Sequence, residues 1–225
     1  MSALTPDYDS DPDRAGSFQT GWQEDVHGPV SERLISEKAN RILDVGSGIG
    51  RFASALGGRM TWLGVDASPR QLAACPHRPV IRADAAHLPI ADRSFDSVVL
   101  LWMLYHLDDP QLALAEAMRV VRPGWLIAAC ASNRNNDPEL VPQGYPSTTF
   151  DGEEAEEIVA GVFGAPHTEV ERWDAPLVRL GDRDEIAAYA RSHLIPPDAV
   201  ETVEPPVTLT KRGCLVWARR PLTQE

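Results

Sequence analysis

Basic residues are in short supply. Lys and Arg number 21 against 33 Asp and Glu, a formal net charge of −12 over 225 residues. Proteins that hold nucleic acid usually present a basic face that displaces phosphate counterions. Here Arg119, Arg122, Arg134, Arg219 and Arg220 are scattered rather than massed, which argues against a nucleic-acid partner. Cysteine is scarce too. Cys75, Cys130 and Cys214 are odd in number, far apart and in no C-x-x-C pair, so they read as reduced thiols of a cytoplasmic protein. Long apolar runs are missing, since the longest, Val98 to Leu104, is too short to cross a bilayer. The first residues lack the basic and apolar regions of a signal peptide. The expectation is a soluble, cytoplasmic chain with no membrane partner. No H-x-x-x-H, H-x-E or Cys/His cluster appears, so no metal site is expected.

What is present is an ordinary globular composition, 43% hydrophobic and 24% charged, of a length that suits one α/β domain. Its organising stretch is Arg41 to Phe52. Ile42 to Val45 reads as a short buried strand, apolar but for Asp44, and Gly46, Gly48 and Gly50 break it before a helical pattern through Phe52, Ala53 and Leu56. Three alternate glycines between strand and helix let the backbone turn tightly and let a ligand lie against it. The dinucleotide fingerprint needs a third small residue five positions after the first. Arg51 stands there, which weighs against a nicotinamide-dependent oxidoreductase. A glycine-rich turn in an unrelated α/β protein remains open at this point.

Downstream, Met60 to Val65 reads as a second strand ending at Asp66, where nucleotide-binding α/β folds place an acid for ribose hydroxyls. Asp66 could instead cap the next helix, although Ser68 before Pro69 is the better cap. Pro79 to Arg82 is a short third strand followed by Asp84, and Phe95 to Leu101 a fourth, apolar enough to be central. Asp109 and Pro110 open a helix with Leu112, Ala113, Ala117 and Val120 inward. Arg122-Pro-Gly124 then ends it before a fifth strand from Trp125 to Ala131. The polar segment from Ser132 to Thr149 is the longest loop. Beyond it come a helix from Asp151 to Phe163, a strand from Thr168 to Leu180 interrupted at Pro176, a helix from Asp184 to His193 and a last strand region from Val207 to Ala218.

Taken together, Asp44 to Gly50 as D-x-G-x-G-x-G, Asp66, Asp84, the run Leu88-Pro-Ile90 to Phe95-Asp96, and Arg122-Pro-Gly124 resemble the class I S-adenosylmethionine-dependent methyltransferases of the small-molecule type. The resemblance covers roughly residues 41 to 131. Two positions depart from the family pattern: Ile90 replaces an aromatic and Trp125 a glycine. The resemblance implies a doubly wound, Rossmann-like, mostly parallel seven-stranded sheet with helices on both faces and an antiparallel last strand. One domain would span 1–225: an N-terminal flap or tail (1–28), a cofactor-binding core (41–131) and acceptor-side elements with the C-terminal strands (132–225). It also implies S-adenosyl-L-methionine as cofactor, held by Asp44, Gly46, Ser47, Gly48, Gly50, Asp66, Ala67, Asp84, Ala85 and Trp102. Asp66 would take the ribose, and Asp84 with the backbone of Ala85 the base.

The reaction so implied moves a methyl group onto an O, N or C nucleophile of a small organic acceptor. Alignment of the nucleophile and exclusion of water are the main tasks. His106, at the end of the fourth strand, is the candidate general base, with a pKa of about 6.5 suited to neutral pH. Tyr105 is a second candidate. A packing role for His106 stays open, as does a cofactor-binding or partner-binding relative without catalysis. Trp22, Trp102, Tyr105 and Tyr145 suggest an aromatic rim, with the tail and the loop from Ser132 to Thr149 as lids. Nothing in the sequence sets the oligomeric state.

Overall fold

The computed structural model describes residues 26–222. The tail expected to fold over the cleft, with Phe18 and Trp22, lies outside the described residues. Seven strands form one sheet: β1 (Arg41–Val45), β2 (Thr61–Asp66), β3 (Val80–Arg82), β4 (Phe95–Leu101), β5 (Val121–Ser132), β6 (Thr168–Leu180) and β7 (Val207–Arg219). Their order is β3-β2-β1-β4-β5-β7-β6. β1 to β5 are parallel, and β7 runs antiparallel between β5 and β6. The doubly wound sheet with an antiparallel last strand is therefore present as expected.

The central strand β4 is buried along its whole length, which is why its sequence is an apolar run rather than an alternation. Of its two polar residues, Asp96 is satisfied by construction, while the Ser97 hydroxyl is buried without a hydrogen-bond partner among the described residues. Asp96 accepts from the backbone N–H of Asn40 and Arg41, both at 3.0 Å, and pairs with Arg122. Asp96 and Arg122 thus fasten the amino ends of β1, β4 and β5, opposite the edge where strand-terminal loops gather.

Helices cover both faces. α1 (His27–Ser36) and α2 (Arg51–Leu56) pack Val30, Leu34, Phe52, Ala53 and Leu56 onto one face. α4 (Pro110–Val120) and α5 (Ala155–Phe163) pack Ala113, Leu114, Ala117, Val159 and Phe163 onto the other. α3 (Pro69–Ala74) links β2 to β3. Leu112, expected inward, is 51% exposed, and Leu114 takes its place. With the helix starting at Pro110, positions 113, 114, 117 and 120 form one stripe at the helical period, and 112 falls off it.

Arg122-Pro-Gly124 is also not a helix-ending turn. Val121 already pairs with Phe95, and the register shifts before Ser97 meets Leu126. The segment is an irregularity inside β5, where proline and glycine in a strand are tolerated. The fifth helix begins at Ala155 rather than Asp151, because Asp151 is buried and accepts from Glu153 N–H in the preceding turn.

β6 and β7 continue beyond the carboxyl end of β5. There they join α6 (Arg183–Ser192) and α7 (Pro197–Val200) around a third core containing Leu140, Val178, Tyr189, Ile195 and Leu209. The loop from Ser132 to Thr149 contributes Leu140, Val141 and, in part, Tyr145 to this cap. Asp137 is fully buried and accepts from the Lys211 ammonium at 2.9 and 3.0 Å. It also accepts from the hydroxyls of Tyr189 and Tyr145. Tyr145 is consequently a core anchor, not part of an aromatic rim. Burial pulls the Lys211 ammonium below its usual pKa against the attraction of Asp137, and pushes the Tyr189 hydroxyl up.

Candidate functional site

Parallel strands β1 to β5 end on one edge, and the loops that follow them carry most of the candidates. After β1, Gly46, Gly48 and Gly50 all adopt left-handed backbone, with φ of 72°, 52° and 80°. Only glycine enters that region without steric cost. Their surroundings differ. A Cβ on Gly46 would sit 2.5 Å from the Met103 Cβ, and one on Gly50 would sit 2.6 Å from the Cys75 sulfur. Those two glycines let the loop press onto neighbouring segments. A Cβ on Gly48 would meet nothing nearer than the Gln71 side chain at 3.7 Å. Gly48 therefore borders open space, where a ligand can approach the main chain.

Amide direction sharpens that division. The N–H groups of Gly46 and Ser47 both donate to Val65 O, at 2.8 and 2.9 Å. The Ser47 side chain lies over Gly64, where an added Cβ would stand 2.7 Å from its oxygen. Its hydroxyl is buried without a hydrogen-bond partner among the described residues. Ser47 thus faces β2, beneath the loop. Gly48 N–H donates instead to Asp66 Oδ2 at 2.8 Å. Asp66 Oδ1 accepts from Ser68 N–H at 2.9 Å, and Ser68 Oγ caps α3 by accepting from Gln71 N–H at 3.1 Å. The capping role thus falls to Ser68. Asp66 joins the loops after β1 and β2. Ala67 is the exposed residue between Asp66 and Ser68, and its carbonyl accepts from Arg82.

Asp44 lies one layer below, buried and accepting from Trp62 Nε1 at 3.0 Å. Burial raises its pKa to about 7, and the Trp62 hydrogen bond opposes the rise. The buried His27 of α1 also lowers it, while Asp66 raises it. Asp44 supports the loop from underneath and carries a charge sensitive to pH near neutrality.

On the β3 side, Asp84 is largely exposed and its Oδ1 accepts from Ala86 N–H at 2.9 Å. That backbone bond, then the nearby His87, hold its carboxyl below the ordinary value. Ala85 is buried in the core beside Leu88. The segment from Leu88 to Asp92 is clamped by a pair that the sequence did not single out. Arg119 donates to the carbonyls of Leu88 and Ile90 and pairs with Asp92 and Glu116. Glu116 in turn accepts from Leu88 N–H at 2.7 Å. The Glu116/Arg119 spacing on one helix was the available signal.

After β4 comes Trp102, held at φ 59°. A bulky residue in left-handed backbone is strained and persists where its surroundings impose it. Its indole meets that of Trp173 edge-on, with centroids 6.0 Å apart and planes at 69°. Tyr105 and His106 follow in a short 3₁₀ turn, Leu104–His106, with ring centroids 4.4 Å apart. Trp173, from β6, was not foreseen. No periodicity distinguishes it from other strand residues. Among the described residues, no group of three His, Cys, Asp or Glu could hold a metal ion, and no helix is long and apolar enough to cross a membrane.

Comparison with known proteins agrees with this geometry. Residues 43–128 match the family model described as "Methyltransferase domain". O-methyltransferase rstn1 of Aspergillus nomiae is 33% identical over 54% of this chain and 59% of its own length. Demethylmenaquinone methyltransferase of Clavibacter sepedonicus is 28% identical over 64% and 62%. The chain therefore spans less than two thirds of these relatives. Among solved structures, the [4+2]-cyclase SpnF superposes with a TM-score of 0.63 at 18% identity, covering 96% of this chain and 95% of that one. That likeness concerns the fold. The sheet order, the glycine loop and the match of residues 43–128 together support a methyltransferase domain of the class I S-adenosylmethionine-dependent kind.

Proposed function

We propose that the protein transfers a methyl group from S-adenosyl-L-methionine to an O, N or C nucleophile of a small organic metabolite. The observation that carries this reading is the open side of Gly48 next to the Asp66 carboxylate, at the carboxyl edge of the sheet. When bound, the cofactor supplies an electrophilic methyl on a sulfonium centre. Gly48 leaves room for its amino-acid portion, Asp66 accepts from the ribose hydroxyls, and Asp84 with the backbone of Ala85 receives the base. Gly46, Gly50 and Ser47 hold the loop's shape, and Asp44 gives negative potential compatible with a cation. Ala67 and Trp102 complete the walls. His106, braced by Tyr105, takes the proton from an acceptor that does not lose it unaided.

The net charge of −12 fits a small organic acceptor better than a polyanion, and the two relatives are named for methyl transfer. A cytoplasmic location is part of the same proposal. A second reading has a specific source. This fold also carries a cyclase, so a relative that binds cofactor without methyl transfer is the alternative. Turnover on a panel of metabolites, read as S-adenosylhomocysteine formation together with a methylated product, decides between them. Cofactor binding with no product across the panel favours the alternative.

A further inference from the structure

A cavity of about 550 Å³ opens where β5 ends and β6 and β7 continue. Its size falls within the range of sites that enclose small organic molecules, about 300–1,000 Å³. Trp173, Val141, Pro142, Asn135, Arg172 and Arg212 line it. The position has a structural cause. Trp173 pairs with Gly213 on β7, which pairs with Ser132, the last residue of β5. The Trp173 indole lies over Gly213 so closely that a Cβ there would stand 2.4 Å from the ring. A glycine inside a strand is costly unless something approaches the backbone, and here the indole does. Trp173 is thus fixed by Gly213 below and Trp102 beside it, and it connects the cavity to the carboxyl end of β4.

The chemistry of the walls restricts what can enter. Arg172 pairs with Glu156 and donates to Gly152 O, while Arg212 pairs with Asp174 and donates to Asn135 O. Glu153 accepts from the Asn133 amide. The two guanidinium groups are thus matched by carboxylates, so an anionic ligand would lose hydration without an unpaired cation to receive it. Apolar contact is offered by Trp173, Val141 and Pro142. The side-chain amide of Asn135 makes no hydrogen bond among the described residues and supplies both a donor and an acceptor.

We infer that this cavity recognises the methyl acceptor, and that the acceptor is a non-anionic, unsaturated ring compound bearing oxygen substituents. The ring stacks on Trp173, an oxygen bonds to Asn135, and the reactive edge points past Trp102. The inference rests on the methyl-transfer reading of the glycine-loop site.

Calorimetric titration of a dihydroxynaphthalene, and of a naphthalene disulfonate as its charged counterpart, into the full chain saturated with S-adenosylhomocysteine tests it. The diol should bind and the disulfonate should not. Trp173→Leu should weaken the diol roughly tenfold, the upper weight of an aromatic contact. Asn135→Trp, at an exposed position that tolerates bulk, should fill the cavity and abolish diol binding. Titration of S-adenosylhomocysteine itself should be unchanged in Asn135→Trp. The inference is overturned if the wild type ignores the diol, if the disulfonate binds more tightly, or if both variants bind the diol normally. If S-adenosylhomocysteine fails to bind the wild type at all, the methyl-transfer reading falls, and the acceptor role of the cavity falls with it even where the diol binds.

Discussion

Replacing Asp44 by Asn should stabilise the protein at alkaline pH and do so progressively less as pH falls. Asp44 is buried, and its pKa rises from 3.8 in the unfolded chain to about 7 in the fold, chiefly through burial. Between those values the folded state binds a proton that the unfolded state has released. Stability therefore falls as pH rises from about 4 to 7, and levels off above the folded pKa. At about 1.4 kcal/mol per pKa unit, with the slope halved at the folded pKa, the interval from pH 5 to pH 7 amounts to roughly 2 kcal/mol. Asparagine keeps a carbonyl for Trp62 Nε1 and cannot ionise, so subtracting the two stability curves isolates this one group. Urea unfolding of both proteins at several pH values from 5 to 8.5 provides the curves. The account predicts that the advantage of Asp44→Asn grows by about 2 kcal/mol from pH 5 to 7, by a few tenths more up to about pH 8, and is constant thereafter. A difference that is flat across the range, or that favours the wild type at pH 8, would refute the assignment of a near-neutral pKa to a buried carboxyl.

Gly48→Val places a branched side chain in the open space beside Asp66 and in left-handed backbone. It should abolish S-adenosylhomocysteine binding in calorimetry, and a folded variant that binds normally would show that the loop is no cradle. Lys211→Met leaves the Asp137 carboxylate buried without its cation, and urea unfolding should show a loss of about 3–5 kcal/mol. A loss below about 1 kcal/mol would mean that the cap does not depend on this pair. His106→Gln should lower kcat by about a hundredfold with unchanged affinity for S-adenosylhomocysteine, if His106 is the base. An unaltered kcat reduces it to a packing residue beside Tyr105.

The portion of the fold read correctly from sequence is the portion where local chemistry and global demand coincide. An apolar run such as Phe95 to Leu101 has few uses other than a strand covered on both faces, and three alternate glycines after a strand require a tight turn. Ser68 before Pro69 names its own role as a cap. The misreadings share a different cause. Leu112 was assigned inward because it is apolar, yet exposure is decided by helical phase relative to the sheet, which composition does not carry. The loop from Ser132 to Thr149 reads as polar, and its place in the C-terminal cap depends on Asp137, whose partners Tyr189 and Lys211 lie 52 and 74 residues away. Trp173 was illegible for the same reason, since its neighbours Trp102 and Gly213 come from distant strands. Buried polar networks and strand-to-strand ring contacts are long-range facts. Periodicity, a local signal, does not register them.

The central claim is that the loop of Gly46 to Gly50 and Asp66 cradles the adenosyl cofactor, and one calorimetric experiment addresses it directly. S-adenosylhomocysteine and NADH are titrated separately into the wild type and into Asp66→Ala. The account predicts saturable binding of S-adenosylhomocysteine to the wild type and none of NADH. Asp66→Ala should weaken that binding by about 1–3 kcal/mol, because the ribose hydroxyls lose their acceptor. Equal affinity in the two proteins, or binding of NADH in preference to S-adenosylhomocysteine, would contradict it.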